Sequence, residues 1–241
     1  MSSTLIGKVA VVTGVSRGIG LAVARLLARQ GAAVVITGTQ QGGVQAAAQA
    51  LMRDGAARVL PLVADVRDAV QVESAFSQAA SAFDGIDILV NNAGLGIYKP
   101  VADLALDEWR LMFDTNISGV FHCCRAAVPH LRARGGGWVI NISSLAGSNP
   151  FANGAAYCAT KAAVNAFTEA FMQEVRHDGI RVAVIAPGSV NTGFGGGARD
   201  KAGWALQPDD VAQVVGDLLA HPGRSLPSRV EIRPSQPPRK G

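Results

Sequence analysis

The first regular pattern of the chain is Lys8-Val9-Ala10-Val11-Val12-Thr13, and Gly14-Val15-Ser16-Arg17-Gly18-Ile19-Gly20 follows it directly. The first run is short, apolar and rich in β-branched residues, which is typical of a buried strand. From Ile19 to Leu27 the apolar side chains recur at helical spacing. The glycines in between allow a tight turn and a close approach of the backbone to a ligand. Because free N–H groups and the positive dipole end of a helix attract anions, the stretch predicts a cradle for a nucleotide phosphate.

The same alternation of short strands and longer helical segments continues along the chain. Runs such as Val34-Val35-Ile36 are apolar throughout, as parallel strands covered by helices on both faces require. Residues 1–233 are therefore predicted to form one α/β domain, a doubly wound Rossmann fold with a seven-stranded parallel sheet flanked by helices. Besides 8–13, the predicted strands are 33–37, 58–63, 86–91, 138–142, 181–186 and 228–233.

Two segments depart from this pattern. Residues 188–207 follow a strand and contain Gly193, Gly195, Gly196, Gly197 and Gly203, so we expect a mobile loop beside the site. Residues 234–241 are predicted to be a loose, basic tail that contains prolines.

Composition and charge exclude several classes of protein. A hydrophobic content of 49% with 17% charged residues excludes a disordered chain. The net charge of +4 arises within residues 222–241, and residues 1–221 balance 17 basic against 17 acidic side chains. Such a neutral body gives no electrostatic reason to expect nucleic-acid binding. The basic excess consists of Arg224, Arg229, Arg233, Arg239 and Lys240 against Glu231.

The cysteines and the amino-terminal residues indicate the cellular compartment of the protein. Cys123 and Cys124 are adjacent, which suits neither a disulfide nor a zinc site, so we expect reduced core thiols and no metal. No apolar run is long enough to span a membrane, and residues 1–8 lack the features of a secretion signal. A cytoplasmic protein without membrane partners is predicted.

The pattern Thr13-Gly14-x-x-x-Gly18-x-Gly20 resembles that of the classical short-chain dehydrogenases/reductases (SDRs). The resemblance spans residues 7–233, with its motifs in family order and spacing, and is greatest to bacterial carbonyl reductases and 3-oxoacyl-[acyl-carrier-protein] reductases. Its further motifs are Asp65, Asn91-Asn92-Ala93-Gly94, Asn116, Ser144, Tyr157-x-x-x-Lys161, and Pro187-Gly188 with Thr192.

The resemblance implies two sets of site residues. The catalytic set is Asn116, Ser144, Tyr157 and Lys161. The cofactor-binding set is Gly14, Ser16, Arg17, Gly18, Ile19, Gly20, Thr39, Asp65, Val66, Asn92, Ala93, Gly94, Tyr157, Lys161, Pro187, Gly188, Val190 and Thr192.

Tyr157 and Lys161 can be read from their spacing as well. Four residues apart in a helix, they lie on one face and can share a site. An ammonium beside a phenol stabilises the phenolate and lowers its pKa toward neutral pH. The resemblance implies that Tyr157 protonates a carbonyl oxygen and that Lys161 also holds the nicotinamide ribose hydroxyls. In isolation the pair would indicate only a surface lysine beside a half-buried tyrosine.

Two further polar residues have competing interpretations. Ser144 follows a predicted strand, where doubly wound sheets bind ligands, and its hydroxyl can hydrogen-bond a substrate oxygen. Ser143 is the rival, with a turn or capping role as its alternative; the family's spacing of thirteen residues to the tyrosine selects Ser144. Asn116 lies in a predicted helix, where asparagine is unfavourable. The resemblance gives it a water-mediated proton relay through Lys161.

The choice of cofactor depends on the end of the second strand. Enzymes that use NAD(H) place an acid there for the ribose hydroxyls, but Thr37-Gly38-Thr39-Gln40 contains no carboxylate. Arg17 can pair with a 2′-phosphate, so NADP(H) is favoured over NAD(H). Thr39 stands where many NADP-using relatives have a second arginine, and Arg17 as a merely solvated cation is the alternative.

For the substrate and the partners the sequence leaves alternatives. Leu95, Phe151, Phe194 and Trp204 either line an apolar pocket or pack the loops down. Either Arg132, Arg134 and Arg176 dock an acidic acyl-carrier protein, or they are solvated helix ends.

The predicted function is an NADPH-dependent oxidoreductase that interconverts a ketone and a secondary alcohol, with a 3-oxoacyl thioester among the candidate substrates. A non-catalytic dinucleotide-binding regulator of the same fold is the alternative, although such relatives usually lose Tyr157 or Lys161. A homo-oligomer, either a dimer or a tetramer, is expected.

Overall fold

The structure is a computed structural model that describes residues 4–196 and 203–237. Its strands are β1 Val9–Thr13, β2 Ala33–Gly38, β3 Val59–Val63, β4 Ile88–Asn91, β5 Gly137–Ile142, β6 Ile180–Pro187 and β7 Arg229–Ile232. Its α-helices are α1 Gly18–Arg29, α2 Gln41–Arg53, α3 Ala69–Phe83, α4 Leu106–Phe113, α5 Gly119–Ala133, α6 Ala155–Val175 and α7 Pro208–Leu219.

All strands in the described part of the chain join one parallel sheet in the order β3-β2-β1-β4-β5-β6-β7. The predicted fold class is therefore confirmed, and each predicted strand lies within two residues of the observed one. The strand order reverses between β1 and β4. In open α/β sheets, ligands bind at such a switch point, outside the carboxyl ends of the strands.

The continuous apolar strands are explained by two cores, one on each face of the sheet. Along β1, Ala10 and Val12 contact one core, while Val9 and Val11 contact the other. Helices α1, α2 and α7 cover the first face, and α3, α5 and α6 cover the second. All three cysteines of the sequence are buried as free thiols, as expected.

The two edge strands have less apolar surface to bury. β3 is only partly buried and contains Pro61, whose missing N–H is tolerated at the edge of a sheet. At the other edge, β7 alternates exposed and half-buried residues.

Within the predicted loop, residues 188–196 and 203–207 are described, and they contain some regular structure. Val190 and Leu206 form an isolated parallel bridge, and a 3₁₀ turn covers Phe194–Gly196. Gly197, which belonged to that prediction, lies outside the described residues.

Part of the predicted tail is also described. Residues 234–237 follow β7, while Arg239 and Lys240 lie outside the described residues. As for membranes, no helix within residues 4–196 and 203–237 has the length and apolarity needed to cross one.

Asp87 ties the amino-terminal edge of the sheet together. Its side chain is 4% exposed, and it accepts hydrogen bonds from Lys8 Nζ at 2.9 Å, from the Val9 N–H at 3.0 Å and from Arg134 Nε at 3.2 Å. Burial alone raises the pKa of Asp87, but these bonds outweigh burial and leave the pKa below its ordinary value of 3.8.

We expect Asp87→Asn to lower the free energy of unfolding by about 2 kcal/mol, because two cations and a backbone N–H lose their carboxylate. A group whose pKa is lowered by folding stabilises the protein above its unfolded-state pKa. The difference between wild type and variant should therefore be full at neutral pH and vanish as the pH falls through the lowered pKa. Denaturant unfolding at several pH values measures it.

Asp107→Asn is the control, because its side chain is 96% exposed and its cation, Arg110, lies 3.6 Å away. It should change stability little at any pH. Equal losses in the two variants, or a loss in Asp87→Asn that persists in acid, contradict the assignment.

Candidate active site

A cleft of about 940 Å³ opens at the carboxyl ends of the strands. Its volume lies toward the upper end of the range of about 300–1,000 Å³ that is usual for ligand pockets. It receives residues from the loops that follow β1, β2, β3, β4, β5 and β6 and from the segment after β7. All predicted site residues line it except Gly20 and Asn116.

The glycine loop after β1 is held against the loop after β4. The Thr13 hydroxyl accepts hydrogen bonds from the N–H groups of Asn92 and Ala93, each at 3.0 Å. Asn92 Nδ2 donates in return to the carbonyls of Thr13 and Gly14, at 2.9 and 3.0 Å. A Cβ on Gly14, whose φ is +69°, would lie 2.7 Å from Ala93 Cα. A side chain at position 14 would therefore push the two loops apart.

Gly20 lies behind the wall of the cleft, so its contribution to cofactor binding is indirect. A Cβ there would lie 2.6 Å from the Gly14 carbonyl oxygen and would overlap the Asn92 amide. Its missing side chain thus lets helix α1 start directly under the glycine loop.

The start of α1 fits the phosphates of a nicotinamide dinucleotide. Arg17 caps the helix with an extended backbone and without a side-chain cap, and the first turn contains no acidic residue. The positive end of the helix dipole therefore meets no negative side chain of its own helix. Gly18, with φ of +62°, opens the helix, and the exposed Arg17 side chain lines the cleft.

The far end of this half of the cleft is formed by the loops after β2 and β3. Gly38 and Thr39 line it, and neither carries a carboxylate. Asp65 lines it too, but its carboxylate accepts from Arg67 Nε at 2.9 and 3.0 Å, which lowers its pKa. Val66 is fixed from behind by His122, whose Nδ1 lies 2.9 Å from the Val66 carbonyl oxygen.

Helix α6 carries Tyr157 and Lys161 into the cleft. Tyr157 is 7% exposed and Lys161 is 5% exposed. Lys161 Nζ donates to the Ile142 carbonyl at 3.0 Å and lies 5.9 Å from the centre of the Tyr157 ring. The spacing of four therefore brings both residues to one site, as predicted.

The pKa values differ from the sequence-based expectation. Burial raises the pKa of Tyr157, and only the Ser144 hydroxyl acts in the opposite direction. Burial also lowers the pKa of Lys161 to about 8. The expected lowering of the Tyr157 pKa by the ammonium does not appear, because desolvation disfavours the charged forms of both groups.

The two serines after β5 have different surroundings. Ser143 is buried, and its hydroxyl donates to the Lys161 carbonyl at 3.2 Å. Ser144 has an extended backbone and begins a short 3₁₀ turn, where its Oγ accepts from the Ala146 N–H at 3.1 Å. The Ser144 hydroxyl acts directly on the pKa of Tyr157. The two hydroxyls therefore lie close together, and the bond from Ala146 does not use the Ser144 hydrogen.

Asn116 lies in a π-helical segment, Asp114–Ser118, that joins α4 to α5. It is 1% exposed and outside the cleft lining. Its Nδ2 donates to the Leu95 carbonyl at 2.8 Å and to Thr160 Oγ1 at 3.0 Å, and its Oδ1 accepts from the Leu95 N–H at 2.9 Å. Asn116 thus fastens the loop after β4 to α6 from behind.

The opposite wall follows β6. Pro187, Gly188, Val190 and Thr192 line the cleft there, as predicted. Thr192 packs against the glycine loop, since a Cβ on Gly18 would lie 3.1 Å from Thr192 Cγ2.

The described part of the chain matches a family model. The model for short chain dehydrogenases covers residues 8–203. The chain belongs to the short-chain dehydrogenase/reductase family. It is an NAD(P)-dependent oxidoreductase, and its substrate is a small molecule.

Proteins similar to this SDR are described as oxidoreductases or dehydrogenases. An uncharacterized oxidoreductase of Staphylococcus aureus is 34% identical over 232 residues, which is 96% of this chain and 99% of the relative. The alcohol dehydrogenase of the archaeon Thermococcus sibiricus, solved with 5-hydroxy-NADP, has a TM-score of 0.89 at 33% identity and covers 97% of this chain and 99% of its own. A metagenomic short-chain oxidoreductase solved with NADP has a TM-score of 0.85 at 34% identity, covering 98% and 100%.

Leu95, Phe151, Phe194 and Trp204 line the SDR cleft, which agrees with the first of their two interpretations, an apolar pocket.

Other residues of the SDR cleft were not predicted from the sequence. Arg67 was missed although it stands two residues after Asp65. The others come from segments without a recognisable motif: Tyr98, Leu111, Thr115, Asn149, Arg233, Pro234 and Pro237.

The contact between the glycine loop and Ala93 gives a test in this SDR. Gly14→Ala should weaken dinucleotide binding at least tenfold and destabilise the fold, because the new Cβ meets backbone that cannot rotate away. Calorimetric titration with NADP⁺ and denaturant unfolding measure the two effects.

Gly7→Ala is the matched control, because Gly7 also has a positive φ, +78°, but has nothing within 4 Å of its Cβ position. Gly7→Ala should lower the free energy of unfolding by only about 1–2 kcal/mol, which is the cost of placing alanine in a left-handed backbone conformation. Equal losses of stability in both variants, with binding unchanged in both, contradict a special role of the close approach.

Proposed function

We propose that the protein is an NADPH-dependent oxidoreductase that interconverts a ketone and a secondary alcohol. The observation that carries this is the meeting of the Ser144 and Tyr157 hydroxyls beside Lys161 in one cleft with the glycine loop. A hydrogen-bond donor, a proton donor and a cation beside a dinucleotide cradle are what carbonyl reduction requires.

In the reduction, the carbonyl carbon gains a hydride, the π bond of the carbonyl group breaks and the oxygen gains a proton. The nicotinamide supplies the hydride when the cofactor is bound and is thereby oxidised. Tyr157 delivers the proton as a neutral phenol. The Lys161 ammonium lies beside its ring, where it can stabilise the phenolate that remains. Ser144 Oγ donates a hydrogen bond to the same oxygen as negative charge develops there.

Lys161 and Asn116 support this chemistry. One Nζ hydrogen of Lys161 is used by Ile142, so the others are available for the ribose hydroxyls that the family resemblance assigns to it. The relay role of Asn116 is kept as a proposal, because an amide oxygen can accept a second bond besides the one from Leu95.

The NADPH preference is supported by charge. No carboxylate stands at positions 38–40 to repel a 2′-phosphate, and the exposed Arg17 lines the cleft. Arg67 lines the same half of the cleft, but its guanidinium is paired with Asp65, so Arg17 is the cation that supports the preference.

We expect Tyr157→Phe and Ser144→Ala to lower kcat at least about a hundredfold, because each removes one hydroxyl from the developing alkoxide. NADPH affinity should stay within about threefold of wild type. Initial rates of NADPH oxidation with a panel of ketones, 3-oxoesters and 3-oxoacyl thioesters, together with direct cofactor titration, measure both.

Ser143→Ala is the control, since it removes a neighbouring hydroxyl that points into α6 rather than into the cleft. Its kcat should remain within about tenfold of wild type, since it loses no contact to the reacting oxygen. If Ser143→Ala has a lower kcat than Ser144→Ala, Ser143 is the residue that donates to the substrate oxygen. Near-normal turnover in Tyr157→Phe disproves the mechanism.

For the cofactor, Gly38→Asp should move the preference from NADPH toward NADH, and Arg17→Ala should weaken NADPH alone. Each charged contact is worth about 1.5–3 kcal/mol, so shifts of roughly ten- to hundredfold are expected. Dissociation constants for both dinucleotides at one salt concentration measure them.

Gly38→Asn separates charge from shape. A Cβ at position 38 would lie 3.0 Å from Val44 Cγ2, so both variants require the same small shift of that valine. Only the aspartate should change the ratio of the two affinities. Tighter NADH binding by the wild type contradicts the proposal.

The three arginines of the carrier-docking alternative differ in their ion pairs. Arg132 pairs with Asp178 at 2.7 Å and Arg134 with Asp87 at 3.2 Å, whereas Arg176 has no ion pair within the described residues. A small ketone and a carrier-bound substrate therefore both stay candidate substrates. The homo-oligomer and the cytoplasmic location remain proposals that rest on the family resemblance and on the free thiols.

A further inference from the structure

Three aromatic side chains surround Tyr157 at the substrate end of the cleft. The ring of Tyr98 meets that of Tyr157 edge-on, with centroids 5.5 Å apart, and the Phe194 ring lies 5.7 Å from Tyr157. Phe151 lies 5.7 Å from Tyr98. Tyr98, Phe151 and Phe194 all line the cleft and are called the aromatic wall below.

The aromatic wall presents apolar surface to the cleft. Tyr98 is 39% exposed, Phe151 is 47% exposed and Phe194 is 37% exposed. Exposed apolar surface that is grouped in a concave site marks a place where a ligand binds. A ligand that covers these rings gains their burial in addition to its own.

Glycines make room for these rings. A Cβ on Gly96 would lie 2.8 Å from both Phe194 Cε1 and Tyr98 Oη, and one on Gly195 would overlap the Tyr98 ring. A Cβ on Gly154 would lie 2.7 Å from Phe151 Cζ. The rings are thus closely packed along their edges, which holds them in place while part of each ring faces the cleft.

We propose that the substrate is a ketone that carries an aromatic ring one or two bonds from its carbonyl group. The Tyr98 and Phe194 rings lie 5.5 and 5.7 Å from the Tyr157 ring, beside the place where the carbonyl oxygen must lie for protonation, and Phe151 extends the wall from Tyr98. The substituent next to the carbonyl therefore meets these rings. Aromatic rings attract one another in tilted and offset arrangements with centroids about 4.5–7 Å apart. This inference rests on the proposed function.

The test compares 1-phenyl-2-propanone with 1-cyclohexyl-2-propanone. The methylene group isolates the carbonyl from the ring in both ketones, so their intrinsic reactivity is similar and the difference lies in the ring. Each aromatic contact is worth about 2- to 12-fold in affinity. With NADPH, we expect kcat/KM to be at least about tenfold higher for the phenyl ketone, mainly because its KM is lower. Calorimetric titration of NADP⁺-loaded enzyme with the two ketones, a pair that cannot transfer a hydride, should show the same order of affinity.

Phe151→Leu and Phe194→Leu remove one ring each while keeping an apolar side chain. Each should lower the phenyl-to-cyclohexyl ratio of kcat/KM about 2- to 12-fold. Phe121→Leu is the matched control, because Phe121 is 45% exposed on α5 and does not line the cleft. It should leave the ratio unchanged. Phe151 lies in an exposed loop, so this variant decides the matter if Phe194→Leu does not fold.

The outcomes separate this inference from the proposed function. If no ketone in the panel is reduced, the proposed function fails. If 2-butanone is reduced but the phenyl ketone has no advantage, or if the ratio is unchanged in both variants, only the aromatic substrate class is wrong. A change of oligomeric state in the variants, with the ratio intact, assigns the wall to contact between copies of the chain and also overturns the inference.

Discussion

The active cleft depends on the close approach of two loops, the glycine loop after β1 and the loop after β4. One hydroxyl, that of Thr13, satisfies the N–H groups of both Asn92 and Ala93, and the missing side chain of Gly14 lets the backbones meet. This contact places the start of α1 in the same cleft as Ser144, Tyr157 and Lys161.

The second constraint is burial of the polar side chains that helix α6 carries into the cleft. Tyr157 and Lys161 are almost fully enclosed, and both charged forms are disfavoured as a result. Burial keeps the phenol neutral and lowers the pKa of the nearby ammonium to about 8.

The substrate end of the cleft is built from residues far apart in the chain. Tyr98 follows β4, Phe151 follows β5 and Phe194 follows β6, and they meet only because those strands are neighbours in the sheet. The segment after β7 completes the rim through Pro234 and Pro237. The rigid sheet thus positions the loops that form this end of the cleft, whereas the glycine loop at the other end comes from one short segment of the chain.

The fold class, the strand positions, the glycine-rich turn and the shared face of Tyr157 and Lys161 could be predicted from the residues alone, because each follows from local periodicity or spacing. Other features required the folded chain: the Ser143 hydroxyl bonds the Lys161 carbonyl whereas the Ser144 hydroxyl lies beside Tyr157, Gly20 and Asn116 lie behind the cleft, and Arg67 pairs with Asp65. Folding also reversed the expected pKa shift of Tyr157 and brought the aromatic wall together. These properties depend on burial and on contacts between segments distant in the chain, and local pattern carries no information on either.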